Sequence, residues 1–92
     1  IVFLLIDLRH EPSGNDKLMY KWILDQGFSP VIIATKLDKI NRSQVAKHVK
    51  MIKEGLQTVK GTIVIPYSAQ TKQGREEIYE LLDTYLETRE GE

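Results

Sequence analysis

The sequence contains no cysteine. That excludes a disulfide scaffold, a thiolate metal site and a cysteine nucleophile, and it fits a reducing, cytoplasmic setting. Neither sign of charge is in excess: 13 Lys+Arg offset 13 Asp+Glu, so net charge alone names neither a nucleic acid nor a membrane as partner. Long hydrophobic runs are also lacking. The longest, Ile1 to Ile6, falls far short of the ~20 residues that cross a bilayer. With no basic residues before it and no small-residue cleavage site after it, it does not read as a signal peptide. No Gly-x-x-x-x-Gly-Lys-Ser/Thr occurs either, so these residues encode no glycine-rich phosphate cradle.

What is present suits one small globular unit: 92 residues, 41% hydrophobic and 28% charged, enough for a modest core. The chain opens inside an apolar segment with no Met, which reads as the C-terminal part of a longer protein. Three short apolar runs bounded by turn residues predict strands at residues 1–7 (IVFLLID), 31–35 (VIIAT) and 62–67 (TIVIPY). Their nearly continuous apolar character suits a parallel sheet covered on both faces. Between and after them lie three helical patterns. Residues 15–26 place Leu18, Met19, Trp22 and Ile23 at helical spacing, with Trp22 assigned to the buried stripe. Ser13 and Asp16 resemble a capping box, and Gly27 is a typical stop. Residues 43–58 align Val45, Val49, Ile52 and Leu56. Residues 74–88 carry Ile78, Leu81, Leu82, Tyr85 and Leu86, with Glu76 and Glu77 near the positive N-terminal end.

The order β-α-β-α-β-α predicts parallel strands with helical crossovers, half of a doubly wound α/β domain. Ligands in such sheets sit at the carboxyl ends of strands. Here those ends are Asp7-Leu8-Arg9-His10, Thr35-Lys36-Leu37-Asp38 and Ser68-Ala69-Gln70. Charge is balanced overall but not locally. Seven basic residues from Lys36 to Lys60 face only Asp38 and Glu54. Lys47, Lys50, Lys53 and Lys60 fall off the apolar stripe, as a solvated helix surface or an RNA-binding face.

Thr35-Lys36-x-Asp38 directly after a buried strand has the chemistry of a guanine site. A carboxylate there accepts two hydrogen bonds from the ring N–H and the exocyclic amino group. Adenine offers no adjacent donor pair and would leave the carboxylate unpaired. The Lys36 stem can lie across the base, the Thr35 hydroxyl can tie the loop to its neighbours, and the Ala69 N–H can donate to the base carbonyl. The structural alternative is that Asp38 caps the second helix or closes a turn while Ser68 begins one.

Three segments, LIDLRHEPSGND, ATKLDK and YSAQTKQG, resemble the C-terminal half of the TRAFAC-class GTPases, and more narrowly the EngB-type ribosome-biogenesis GTP-binding proteins. The resemblance covers nearly the whole chain. It implies half of a P-loop NTPase (G-domain) fold, three-layered, with three parallel strands and three helices. It further implies that Asp38 reads guanine, Lys36 packs along the base, Thr35 braces the loop, and Ser68 and Ala69 form the second base-contacting loop. Gln70 departs from the lysine usual at its position. The implied ligands are GTP or GDP, with Mg²⁺ held through residues upstream, and the implied partner is a ribosomal subunit or its rRNA. The phosphate loop and both switches would lie upstream, so the resemblance implies a GTPase of which this piece alone does not hydrolyse GTP. The rival is a non-nucleotide α/β interaction module.

His10 and His48 are the only histidines and read as turn or surface residues rather than a metal pair. Asp7 and Asp16 read as caps, with the turn from Arg9 to Asp16 a candidate partner surface. A first strand lacking a neighbour predicts self-association by edge pairing or strand exchange.

Overall fold

The computed structural model describes residues 2–90, with side chains through residue 84. The elements run β1 (Phe3–Asp7), α1 (Gly14–Asp25), β2 (Val31–Thr35), two short 3₁₀ turns (Leu37–Lys39 and Arg42–Gln44), α2 (Val45–Leu56), β3 (Val64–Pro66) and α3 (Arg75–Glu90). The strands form one parallel sheet in the order β1-β2-β3. This is the three-strand, three-helix α/β arrangement expected of half a P-loop GTPase fold. Register sets Asp7 opposite Thr35 and Ala34 opposite Pro66, so the carboxyl ends of all three strands meet along one rim.

Each sheet face is covered differently. Leu4, Ile6, Ile32 and Ala34 point into a core with Tyr20 and Ile23 of α1 and Ile52 and Leu56 of α2. On the other face Val31, Ile33 and Ile65 meet Ile78 and Leu81 of α3. Side chains alternate along a strand, so Leu5 shares the face of Phe3, yet it is 64% exposed on the outermost strand. No described helix is long and apolar enough to cross a membrane.

Strand β2 has the span its sequence predicts, whereas β1 and β3 are shorter within the described residues. Ile1 and the side chains of Tyr85 and Leu86 lie outside the described residues. The α1 boundaries follow from their caps. Ser13 Oγ accepts from the Asp16 N–H at 3.1 Å while Asp16 Oδ2 accepts from the Ser13 N–H at 2.9 Å. At the other end Gly27 is left-handed (φ +88°). The Phe28 N–H bonds the Ile23 carbonyl and the Gly27 N–H bonds that of Leu24, closing a Schellman turn.

The inner face of α1 departs from expectation. Trp22 is exposed, as are Leu18 and Met19, and Tyr20 is buried in their place. Tyr20 wins the core position because its hydroxyl finds partners there, Thr62 Oγ1 at 3.0 Å and the Val59 N–H at 3.1 Å. An indole turned inward would need an acceptor for its own N–H. On α2 the stripe holds, with Ile52 and Leu56 buried and Val45 and Val49 half-buried. Gly55 faces the buried Pro12, and a Cβ there would stand 2.7 Å from the Pro12 ring.

Candidate functional site

The rim loop after β2 begins with Thr35, whose hydroxyl donates to the Ile6 carbonyl of β1 at 3.4 Å. Lys36 follows in the left-handed region (φ 68°). That conformation costs an L-residue free energy unless its surroundings hold it. Two bonds do so here: the Lys36 carbonyl accepts from the Lys39 N–H, and the Leu37 N–H donates to the Tyr67 carbonyl at 3.0 Å. The chain thus turns sharply, leaving Lys36 exposed and setting Asp38 against the third strand end.

Asp38 neither caps α2 nor closes an isolated turn. Its side chain is 14% exposed. Its Oδ1 accepts from Ser68 Oγ at 2.8 Å, and its Oδ2 lies 3.7 Å from Lys39 Nζ. The Ser68 hydroxyl bond, aided by Lys39, holds the carboxyl below its ordinary pKa against the opposing effect of desolvation. A carboxylate has about four acceptor positions, so one held by Ser68 leaves the others to meet a pair of donors.

Ser68 is wholly buried and organises the second loop. Its hydroxyl accepts from the Thr71 N–H at 3.1 Å, its N–H donates to the Gln73 carbonyl, and its carbonyl accepts from Lys72. Lys72 is also left-handed (φ 67°), and Gly74 follows at φ +86° against the Pro66 carbonyl. Ala69 and Gln70 form the exposed tip, and among the described residues no acceptor meets the Ala69 N–H.

The structure therefore brings Thr35, Lys36, Asp38, Ser68 and Ala69 onto one rim, with Asp38 and Ser68 in direct contact. Thr71 and Gly74, which shape the second loop, were not singled out by spacing; the turn-forming run TKQG was the available signal. A cavity of about 800 Å³ is lined by Asp38 itself with Leu37, Arg42, Thr71 and Gly74, and by neither Lys36 nor Ala69.

On the β1 side of the rim, Asp7 does not cap. It takes Arg9 in a two-pronged ion pair, Nη2 to Oδ2 at 2.8 Å and Nε to Oδ1 at 3.1 Å, and also accepts the Arg9 N–H. These bonds hold Asp7 at a pKa of about 2. His48 is half-buried rather than a surface residue, with Nδ1 2.9 Å from the Leu8 carbonyl. Only an Nδ1–H can donate there, so this contact fixes the tautomer. Among the described residues no three or more His, Asp or Glu side chains are grouped so as to hold a metal ion.

No family model matches the chain. Curated relatives do. A probable GTP-binding protein EngB of Lachnospira eligens is 56% identical over 85 residues, covering 92% of this chain and 40% of that protein. The corresponding Lachnoclostridium phytofermentans protein is 53% identical over all 92 residues, 46% of its length. That of Clostridioides difficile is 51% identical over 79 residues, 86% of this chain and 39% of that protein. The chain thus spans less than half the length of the curated relatives it matches, and with more than half of the aligned residues identical in these three it belongs to the EngB family, corresponding to the C-terminal part of those proteins.

Proposed function

We propose that these residues form the C-terminal portion of a GTP-binding domain and hold the half of it that selects the base. The carrying observation is the Asp38 carboxylate held by the Ser68 hydroxyl at the adjoining ends of β2 and β3. Asp38 accepts from the guanine ring N–H and amino group, Lys36 lays its stem along the base, Thr35 braces its loop against β1, and Ala69 donates its N–H to the base carbonyl. An acceptor-only carboxylate matches guanine and mismatches adenine.

The relatives' name supports GTP or GDP as the ligand. These residues carry no phosphate cradle, so phosphates and Mg²⁺ would be held by residues upstream, and hydrolysis would need them. By itself the 92-residue piece selects a nucleotide without hydrolysing it. The intact protein's role would be that of a cytoplasmic GTPase switch in ribosome assembly and cell division. In keeping with an rRNA partner, Lys47, Lys50, Lys53 and Lys60 are all exposed.

The test is Asp38→Asn in the intact protein. The amide replaces one acceptor by a donor, which suits the C2 carbonyl of xanthine and not the C2 amino group of guanine. Nucleotide titrations should show preference moving from guanine to xanthine. Equal binding of both nucleotides by variant and wild type would remove Asp38 from the site.

A further inference from the structure

We propose that His48 is a positioning residue for the base loop, acting on Lys36 through the backbone of Leu8. The inference rests on the base-site reading above and adds a residue to it. The two bonds that hold Lys36 left-handed, from Leu37 to Tyr67 and from Lys39, both act on the peptide that follows it. The peptide before it is held from another side, where the Thr35 carbonyl accepts from the Leu8 N–H at 2.9 Å. A residue's two backbone torsions are the swivels between its flanking peptide planes. Fixing both planes fixes the conformation of Lys36, and with it the direction in which its stem leaves the chain.

Leu8 can hold Thr35 only as firmly as it is held itself. Its side chain is wholly buried, and its carbonyl accepts from His48 Nδ1 at 2.9 Å. His48 belongs to α2, forty residues on in sequence. The turn that starts at Leu8 is docked on this helix a second time, through Pro12 against Gly55. At about 100° per residue, His48, Ile52 and Gly55 fall within an arc of about 60°. Ile52 lies in the same buried cluster as Leu8. One face of α2 therefore seats the turn from Leu8 to Pro12, and His48 is the only one of the three that grips it by a hydrogen bond. The path runs from α2 through His48 to the Leu8 carbonyl, and from the Leu8 N–H to the peptide that precedes Lys36.

GDP binding by the intact protein tests this, with His48→Asn and His48→Gln. The Asn amide nitrogen takes the place of Nδ1, next to Cγ, whereas the Gln nitrogen stands one bond farther out. His48→Gln should weaken GDP binding by about three- to tenfold, the worth of one hydrogen bond, and His48→Asn should restore it to within about twofold of wild type. Amide hydrogen exchange at Leu8 should quicken in His48→Gln and not in His48→Asn, with circular dichroism unchanged in both. Guanine should stay preferred over xanthine, because Asp38 is intact. Equal GDP affinity in wild type and both variants overturns the proposal. So does a loss of affinity with Leu8 exchange unchanged, since the path would then bypass Leu8. Failure of the base-site reading shows separately, as an Asp38→Asn variant that does not move towards xanthine, and it would take this proposal with it.

Discussion

Replacing Gly74 by alanine perturbs the second rim loop in a way whose size follows from its surroundings. Gly74 is left-handed, and a Cβ would run into the Pro66 carbonyl oxygen with Tyr67 Cα 3.2 Å away. Both obstacles are backbone, so no side-chain rotation relieves them. Left-handed strain costs about 1 kcal/mol, and forcing an extra methyl into occupied space about 1–3 more. The sum, about 2–4 kcal/mol, is a large part of the roughly 5–14 kcal/mol typical of this chain length. At about 4–8 °C per kcal/mol, Tm should fall by about 8–32 °C. Gly27→Ala separates the two causes, because Gly27 has the same backbone conformation with nothing within 4 Å. It should lose only about 1 kcal/mol. Gly14 is in open space without a positive φ, so Gly14→Ala should be neutral or slightly stabilising. Urea unfolding followed by circular dichroism ranks the three. If Gly74→Ala and Gly27→Ala prove equally destabilising, the collision does not govern this loop and the reasoning fails.

Tyr20→Phe removes a hydroxyl that serves both Thr62 and the Val59 N–H; urea unfolding should show a loss of about 1–2 kcal/mol. Ser68→Ala should raise the Asp38 pKa towards the ordinary carboxyl range, because the Ser68 bond is the main cause of its depression; carboxyl NMR titration reads this directly. Asp7, depressed from 3.8 to about 2 by Arg9, contributes stability that is present above pH ~4 and is lost as pH falls through about 2. Its side chain is one-third exposed, so the effect should be no more than about 1 kcal/mol. Acid unfolding of Asp7→Asn should be less steep over that window than wild type.

The parts of the fold legible in sequence were those where one periodicity had one solution. Residues 31–34 are apolar throughout and are followed by the polar Thr35, and together they form the central strand β2. Ser13, Asp16 and Gly27 bound α1 through local bonds, which depend on neighbours in sequence alone. The inner face of α1 was not legible in this way. Apolar residues occur on two sides of that helix, and helical spacing does not say which side meets the sheet. The choice was settled by Thr62 and Val59, about forty residues away, accepting and donating to Tyr20. At the rim, spacing placed Asp38 and Ser68 at the ends of neighbouring strands. Their direct bond, and the part played by Thr71 and Gly74, depend on loop conformations that propensity does not specify.

The two rim loops are tied to each other, through Ser68 to Asp38 and through the Leu37 N–H to the Tyr67 carbonyl, each joining residues thirty apart in sequence. Folding therefore orders this surface in advance, and a ligand reading both loops encounters it without a prior rearrangement. Association should then be a single-step process, with an observed rate rising linearly with ligand concentration and no saturation. Discrimination between ligands would be written in how long each one stays.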